Sequence, residues 1–184
     1  MSGTKELTPE QVRAAAQVRL GQPLARQNLQ AIAERAGQLP QLAEVRVTRD
    51  WPSAVGITVV ERKPLLAVAQ PSGFVLVDKT GVAYESRSAV PGGVFLADVN
   101  PDDRALLTEA GVVATALTGS LGKQVDRVAA TNSDNITVRL DSGVVVTWGD
   151  STNSALKAQL TTALLKQKPR TSIDVSSPHN PAIR

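Results

Sequence analysis

Few residues of this 184-residue chain have a type and spacing suited to chemistry at a protein site. The chain has no cysteine, which excludes thiol catalysis, disulfides and cysteine-based metal sites. Its one histidine, His179, lies in a proline-rich tail, whereas a catalytic histidine needs a rigid scaffold. The adjacent carboxylates Asp102 and Asp103 follow an Asn-Pro pair, as acidic residues do at a helix N-terminus. We therefore predict no catalytic residue, no metal site and no cofactor.

Composition also limits the class of partner. The formal net charge is +3, and aromatic residues make up only 3% of the chain. Nucleic-acid binding is not expected, because the basic residues are scattered and aromatic side chains on which bases could stack are nearly absent. No stretch approaches the ~18 apolar residues that would span a bilayer.

Residues 1–70 read as helix, helix, strand, strand. The sequence TPEQ at 8–11 predicts a helix start, with Thr8 and Gln11 forming a capping box, and Gly21 is expected to end this helix. Apolar residues at helical spacing predict a second helix over about 25–36. The period then changes to two on either side of a turn at 50–53, where Pro52 stops strand pairing.

From Pro71 onwards the sequence predicts short strands separated by turns, with two helices. One helix follows Asp103, and the other covers about 154–167 with Leu156, Leu160, Ala163 and Leu164 on its apolar side. A final strand is expected over 171–176. The fold class is therefore α+β, with a helix-helix-strand-strand module followed by a mixed β-sheet domain with helices.

The helix-helix-strand-strand order resembles a POTRA module, and the stretch RDWPSAVGITVVERKPLLAV at 49–68 resembles the FtsQ/DivIB family of bacterial cell-division proteins. That family repeats Arg-x-Trp-Pro, an alternating strand, Glu-Arg-x-Pro and an apolar run. Further similarity lies in GQPL at 21–24, LPQLAEVRV at 39–47, VLVDKTGVAY at 75–84 and TSIDVSSPHNPAIR at 171–184. The IDVS ending is most similar to the actinobacterial branch.

The resemblance implies a non-catalytic scaffold of the divisome, active in septation. It implies a POTRA domain at 1–70, an FtsQ-type β domain at 71–177 and a tail at 178–184, with the first POTRA strand missing from this chain. The whole protein would be a single-pass cell-membrane protein whose membrane helix is absent here, with this region outside the cytoplasm. The implied partners are proteins resembling FtsB/DivIC and FtsL.

Two groups of motif residues receive structural roles. Arg49, Trp51 and Pro52 form the first motif, and we expect Trp51 to be a packing anchor that covers the end of the sheet. Glu61, Arg62 and Pro64 form the second motif, which we place at the domain junction, where charges and a proline stop strand pairing. The alternative for the second group is a solvated strand end followed by a linker proline.

The last strand is the predicted partner-binding site. A terminal strand is often an edge strand, whose free N–H and C=O groups can capture an extended segment. Ile173 and Val175 would complete the core, while the backbone edge would stay free; Lys157 and the basic residues after it would favour an acidic partner segment. The site residues are Ser172, Ile173, Asp174, Val175 and Ser176, with Lys166, Lys168 and Arg170.

Two alternatives remain open. A POTRA-bearing component of a secretion or outer-membrane assembly system would carry repeated POTRA units or a following barrel of alternating strands. A hydrolase with an unrecognised site would be indicated by a bound cofactor or by activity on peptidoglycan fragments.

Overall fold

The chain folds into two compact units, which cover Met1–Arg62 and Lys63–Arg184. The structure is a computed structural model, and it describes residues 2–3, 5–167 and 171–183. The predicted boundary at residue 70 is wrong, because Pro64–Gln70 is a strand that pairs inside the second unit. The Pro-Ser-Gly signal at 71–73 marks a hairpin turn between two strands of one sheet and not a linker between domains.

The first unit has the helix-helix-strand-strand order that the sequence predicts. Its helices are α1 and α2, separated by a single 3₁₀ turn, and its strands β1 and β2 form an antiparallel hairpin. The bounds are Pro9–Ala16 for α1, Leu24–Arg26 for the 3₁₀ turn, Leu29–Ala36 for α2, Leu42–Asp50 for β1 and Ala54–Glu61 for β2.

The two helices are shorter than predicted. Thr8 and Gln11 form the expected capping box, but α1 ends at Ala16 and not at Gly21. The Arg35 guanidinium donates from Nε to the Ala16 carbonyl over 3.0 Å, so a residue distant in sequence satisfies the last turn. Helix α2 begins only after Asn28, whose side chain accepts the Ala31 N–H as an N-cap.

A hydrophobic core joins the helices of the first unit to one face of the hairpin. The described residues contain no third strand of this sheet. Ser2 makes a single parallel bridge with Thr58, donating to the Ile57 carbonyl and accepting from the Val59 N–H. The buried members of the core are Val12, Ala16, Ile32, Ala36, Leu42, Ile57 and Val59.

The second unit is built on a mixed nine-stranded sheet. Neighbouring strands follow the order β11-β10-β9-β8-β7-β6-β3-β4-β5, with parallel pairing at β3/β6, β6/β7 and β9/β10. The strands are β3 (Pro64–Gln70), β4 (Gly73–Asp78), β5 (Ala83–Arg87), β6 (Phe95–Asp98), β7 (Val125–Asn132), β8 (Asn135–Leu140), β9 (Val145–Gly149), β10 (Ser172–Asp174) and β11 (Ala182–Ile183).

The described part of this unit also contains the helices α3 (Arg104–Ala116), the short α4 (Gly119–Gly122) and α5 (Ser154–Leu165). Asp103 caps α3 by accepting the Leu106 N–H at 2.9 Å, as the sequence predicts. Leu107 and Val113 of α3 are buried with Trp148 of β9 in the main core of the unit.

The apolar side predicted for α5 is only partly correct. Leu160 and Leu164 pack against the core, but Leu156 and Ala163 are exposed. Polar residues take the most buried positions, because their polar atoms find partners inside the unit. The fully buried Thr161, for example, donates its hydroxyl to the Lys157 carbonyl at 2.8 Å.

Candidate functional site

The strand predicted to bind partners, β10, is not the last strand of the sheet. It pairs in parallel with β9 and in antiparallel with β11, which matches Ile173 to Ile183 and Asp174 to Ala182. The expectation that nothing later in the chain covers β10 is therefore wrong. A two-residue strand is too short to show a periodic pattern, and only its pairing with β10 defines it.

The backbone of β10 presents alternate residues to its two neighbours. Val145 donates to the Thr171 carbonyl, and Val175 donates to the Thr147 carbonyl at 2.9 Å, so the odd-numbered residues bond to β9. The N–H and C=O groups of Ser172 and Asp174 therefore point to the opposite side, where β11 lies.

The side chains of this segment divide between the core and solvent. Ile173 and Val175 are buried in the main core, as predicted. The exposed Asp174 carboxylate accepts the Ser176 N–H at 2.9 Å and the Ser176 hydroxyl at 2.7 Å. This local turn ends the strand and uses side-chain groups that would otherwise compete with strand pairing.

The basic residues expected beside the strand are in different situations. Lys166 is exposed at the C-terminus of α5 and lines a cavity of about 500 Å³ between α3, α4 and α5. Lys168 and Arg170 lie outside the described residues. Lys157 cannot attract a partner, because its side chain is only 1% exposed.

Glu61 and Arg62 both make hydrogen bonds to other residues of the first unit. The Glu61 carboxylate accepts the N–H groups of Lys5, Glu6 and Leu7 at distances between 2.8 and 3.2 Å. Desolvation raises the pKa of this carboxyl group, but the three N–H donors outweigh it and hold the pKa below its usual value. Arg62 donates from Nε to the Pro40 carbonyl at 3.0 Å.

These contacts tie the end of β2 to the segment before α1 and to the turn before β1. Pro64 begins β3 and pairs with Asp78, so the motif spans the point where the chain passes from the first unit to the second. The role at a domain junction stays a prediction.

The first motif has one residue with clear structural contacts. Arg49 donates from Nε to the Leu24 carbonyl at 3.2 Å and from Nη2 to the Gln27 carbonyl at 2.9 Å, which fixes β1 to the connection between the helices. Trp51 and Pro52 lie in the hairpin turn, as predicted. The expected burial of Trp51 is wrong, because its side chain is 70% exposed.

The residues considered for catalysis either have structural roles at a helix N-terminus or lie in the exposed tail. Asp103 caps α3, and the Asp102 N–H donates to the Asn100 side chain. His179 is exposed in the tail. Within residues 2–3, 5–167 and 171–183, no group of three His, Cys, Asp or Glu side chains could hold a metal ion, and no helix could cross a membrane.

Comparison with known families covers both units. The family model "POTRA domain, FtsQ-type" matches residues 1–62, and the model "Cell division protein FtsQ/DivIB, C-terminal" matches residues 67–176. The chain belongs to the FtsQ/DivIB family of cell-division proteins. The predicted resemblance and the predicted POTRA module are therefore confirmed.

Three curated relatives, each named "Cell division protein FtsQ", support the same assignment over the whole chain. The protein of Streptomyces griseus is 37% identical over 99% of this chain and 93% of its own length. The protein of Streptomyces venezuelae is 36% identical over 98% of this chain and 71% of its own length. The protein of Mycolicibacterium smegmatis is 37% identical over all of this chain and 55% of its own length. All three organisms are actinobacteria, the branch that the IDVS ending suggested.

Sequence reasoning missed a polar network at the start of α5 in this FtsQ-family chain. Lys157 Nζ donates to the Asp150 carbonyl at 2.9 Å and to Asp150 Oδ1 at 2.7 Å. Trp148 Nε1 donates to the buried Ser154 hydroxyl, and Ser151 is hydrogen-bonded to Glu109 of α3. The one available signal is the WGDSTNS sequence at 148–154, where polar turn residues directly follow a buried strand.

Proposed function

We propose that the chain is a non-catalytic scaffold of the divisome, which binds partner cell-division proteins outside the cytoplasmic membrane. Membership of the FtsQ/DivIB family supports the role in cell division. The non-catalytic part is supported by the roles of the candidate residues, since Asp102 and Asp103 serve the N-terminus of α3. The proposal includes a single membrane helix outside this chain and an extracytoplasmic location for both units.

The binding proposal rests on the short length of β11, the strand that pairs with the outer edge of β10. Within the residues that the structure describes, two residue pairs join β11 to β10, whereas the other side of β10 pairs with β9 and, through β9, with the rest of the sheet. A partner segment can take the place of β11 and pair with the outward N–H and C=O groups of Ser172 and Asp174. Main-chain hydrogen bonds of this kind provide affinity, and pockets for alternate side chains provide specificity.

The proposed partners are the extracytoplasmic regions of proteins resembling FtsB/DivIC and FtsL. Lys166 is exposed at the end of α5, and the sequence adds Lys168 and Arg170 before the strand. These basic residues would speed the association of an acidic partner segment, and the rate of association would fall with added salt.

The experiment is a pull-down and a binding titration with purified FtsB-like and FtsL-like ectodomains, with an unrelated ectodomain as the negative control. Ser172→Pro removes one outward N–H group. It leaves the Asp174 turn and the buried Ile173 and Val175 side chains unchanged. Ser172→Ala is the matched control, because it removes the hydroxyl group but keeps the N–H group.

We expect Ser172→Pro to weaken binding about fivefold or more and Ser172→Ala to bind like the parent, since a lost main-chain bond costs roughly 1 kcal/mol or more. Asp174→Pro should also weaken binding, but it removes the carboxylate that Ser176 uses as well. Thermal melting checks that each variant is folded. A folded Ser172→Pro variant with parental affinity would rule out pairing at this strand.

A further inference from the structure

A basic pocket lies in the first unit, far in sequence from the strand discussed above. Its volume is about 250 Å³, and arginine side chains from three positions line it: Arg19, Arg26 and Arg35. Gln22, Gln27 and Asn28 supply most of the remaining polar wall, and none of the lining residues is acidic. Three guanidinium groups around one concave site without an acid favour binding of an anion.

Two of these arginines have no side-chain partner among the residues that the structure describes. Arg35 is held by its bonds to the Ala16 and Gln17 carbonyls. The Arg19 and Arg26 guanidinium groups are exposed, and neither makes a hydrogen bond or an ion pair with any residue that the structure describes. Arginine usually offers its fork of N–H donors to a carboxylate or a phosphate, so these two groups are available to a ligand.

The loops around the pocket are fixed to one another through Gln27, which is buried. Gln27 Nε2 donates to the Arg19 carbonyl at 2.6 Å, and the Gln27 carbonyl accepts from Arg49 Nη2 at 2.9 Å. These bonds bring the Arg19–Leu20 loop and the end of the β1–β2 hairpin to the same end of the unit. The two arginines and the hairpin turn therefore have a defined arrangement.

That end of the unit also carries the two most exposed large apolar side chains among the described residues of the unit. Leu20 is 94% exposed and Trp51 is 70% exposed. A leucine and a tryptophan beside unpaired arginines are typical of a surface that meets a lipid bilayer, where tryptophan sits at the level of the headgroups and arginine at the level of the phosphates.

We propose that this end of the first unit binds an anionic phospholipid surface, with a headgroup phosphate held by Arg19 and Arg26 and with Trp51 and Leu20 entering the interface. The ligand has to account for both the positive charge of the arginines and the exposed apolar side chains. An acidic peptide would use the arginines but would leave Leu20 and Trp51 in water, so the exposed apolar pair favours the membrane.

The chain carries its own reporter for this contact. It has two tryptophans, of which Trp148 is fully buried and Trp51 is exposed. Entry of Trp51 into the interface shifts its fluorescence to shorter wavelength and protects it from a soluble quencher, while Trp148 gives a constant background. The test measures binding of the chain to vesicles of phosphatidylcholine with and without phosphatidylglycerol, by co-sedimentation and by tryptophan fluorescence.

The charge variant is Arg19→Gln/Arg26→Gln, and its control is Arg46→Gln/Lys123→Gln, which changes the net charge equally at exposed positions outside the pocket. A basic residue near an anionic surface contributes enough that loss of two should lower the partition coefficient roughly tenfold to thirtyfold. The control should remain within about twofold of the parent. Leu20→Ser should weaken binding and reduce the shift of Trp51.

Three results would overturn the proposal. The first is that the parent does not bind vesicles that contain phosphatidylglycerol. If an acidic peptide binds at Arg19 and Arg26 while these vesicles do not, the pocket is a peptide site and the proposal is equally overturned. The second is an equal loss of binding in the charge variant and its control, which would indicate a general effect of net charge. The third is binding of inorganic phosphate at Arg19 and Arg26 with no binding to vesicles, which would make the pocket a site for soluble phosphate.

Discussion

Lys157 Nζ lies 2.7 Å from Asp150 Oδ1, and the two side chains differ sharply in exposure: that of Lys157 is 1% exposed and that of Asp150 is 46% exposed. Hydrogen bonds from Lys157 and Thr152 keep the pKa of the Asp150 carboxyl group below its usual value. The pair fixes the turn after β9 to the first turns of α5. Removal of the Lys157 charge and removal of the Asp150 charge should therefore lower the free energy of unfolding by different amounts.

Asp150→Ala should destabilise the second unit far more than Lys157→Met. Loss of the carboxylate leaves a buried ammonium group with only the Asp150 carbonyl as a partner, which costs up to roughly 3–5 kcal/mol. Lys157→Met keeps the apolar stem and leaves a carboxylate that water can reach, so we expect a cost of about 1 kcal/mol in the free energy of unfolding. Urea denaturation of both variants measures the difference. Thr152→Val controls for the turn itself, and equal costs for the two main variants would contradict the argument.

The first unit should lose stability in acid through Glu61. Because the folded-state pKa of Glu61 is lowered, its contribution is fully present above the ordinary glutamate pKa of about 4.3 and is lost as the pH falls through the lower folded-state value. Glu61→Gln should be less stable than the parent at neutral pH, and this difference should shrink below about pH 4. Methyl NMR signals of Ile32 during urea denaturation report on this unit alone. A difference independent of pH would argue against the linkage.

Truncation of the two tryptophans should change the free energy of unfolding by very different amounts. Trp148 is fully buried, and Trp148→Ala should cost roughly 3–5 kcal/mol through lost packing and the cavity left behind. Trp51 is mostly exposed, and Trp51→Ala should change the free energy of unfolding by no more than about 0.5 kcal/mol. Denaturation followed by circular dichroism compares the two variants. A large loss of stability in Trp51→Ala would mean that Trp51 packs more closely than its exposure indicates.

Local signals in the sequence predicted the elements that depend on local chemistry. The capping box of Thr8 and Gln11, the turn at Trp51-Pro52 and the Asp103 cap were all readable, because each uses residues within a few positions of one another. The family motif also anticipated the POTRA fold of residues 1–62. Prediction of these features does not depend on contacts with distant parts of the chain.

The errors arose where a distant residue decides the outcome. Gln17 caps the end of α1 in the left-handed conformation and Arg35 bonds to the Ala16 carbonyl, so the helix does not need Gly21 to end it. Lys157 counts as a surface charge in any sequence pattern, yet Asp150 makes its burial possible. At the proposed partner site, the sequence predicted β10 and its buried Ile173, but β11 exists only through pairing with β10. Contacts of this kind have no local signature.

Removal of β11 should strengthen partner binding if the partner segment pairs with β10 as proposed. Pairing of Asp174 with Ala182 and of Ile173 with Ile183 competes with the incoming strand, and its main-chain bonds contribute on the order of 1 kcal/mol. Deletion of residues 178–184, or Ala182→Pro in the whole chain, should therefore raise the affinity for an FtsB-like ectodomain about fivefold, as measured by titration calorimetry. His179→Ala is the control in the same tail and should bind like the parent. Unchanged affinity in both β11 variants would mean that β11 does not compete with the partner, and weaker affinity would mean that β11 itself forms part of the binding edge.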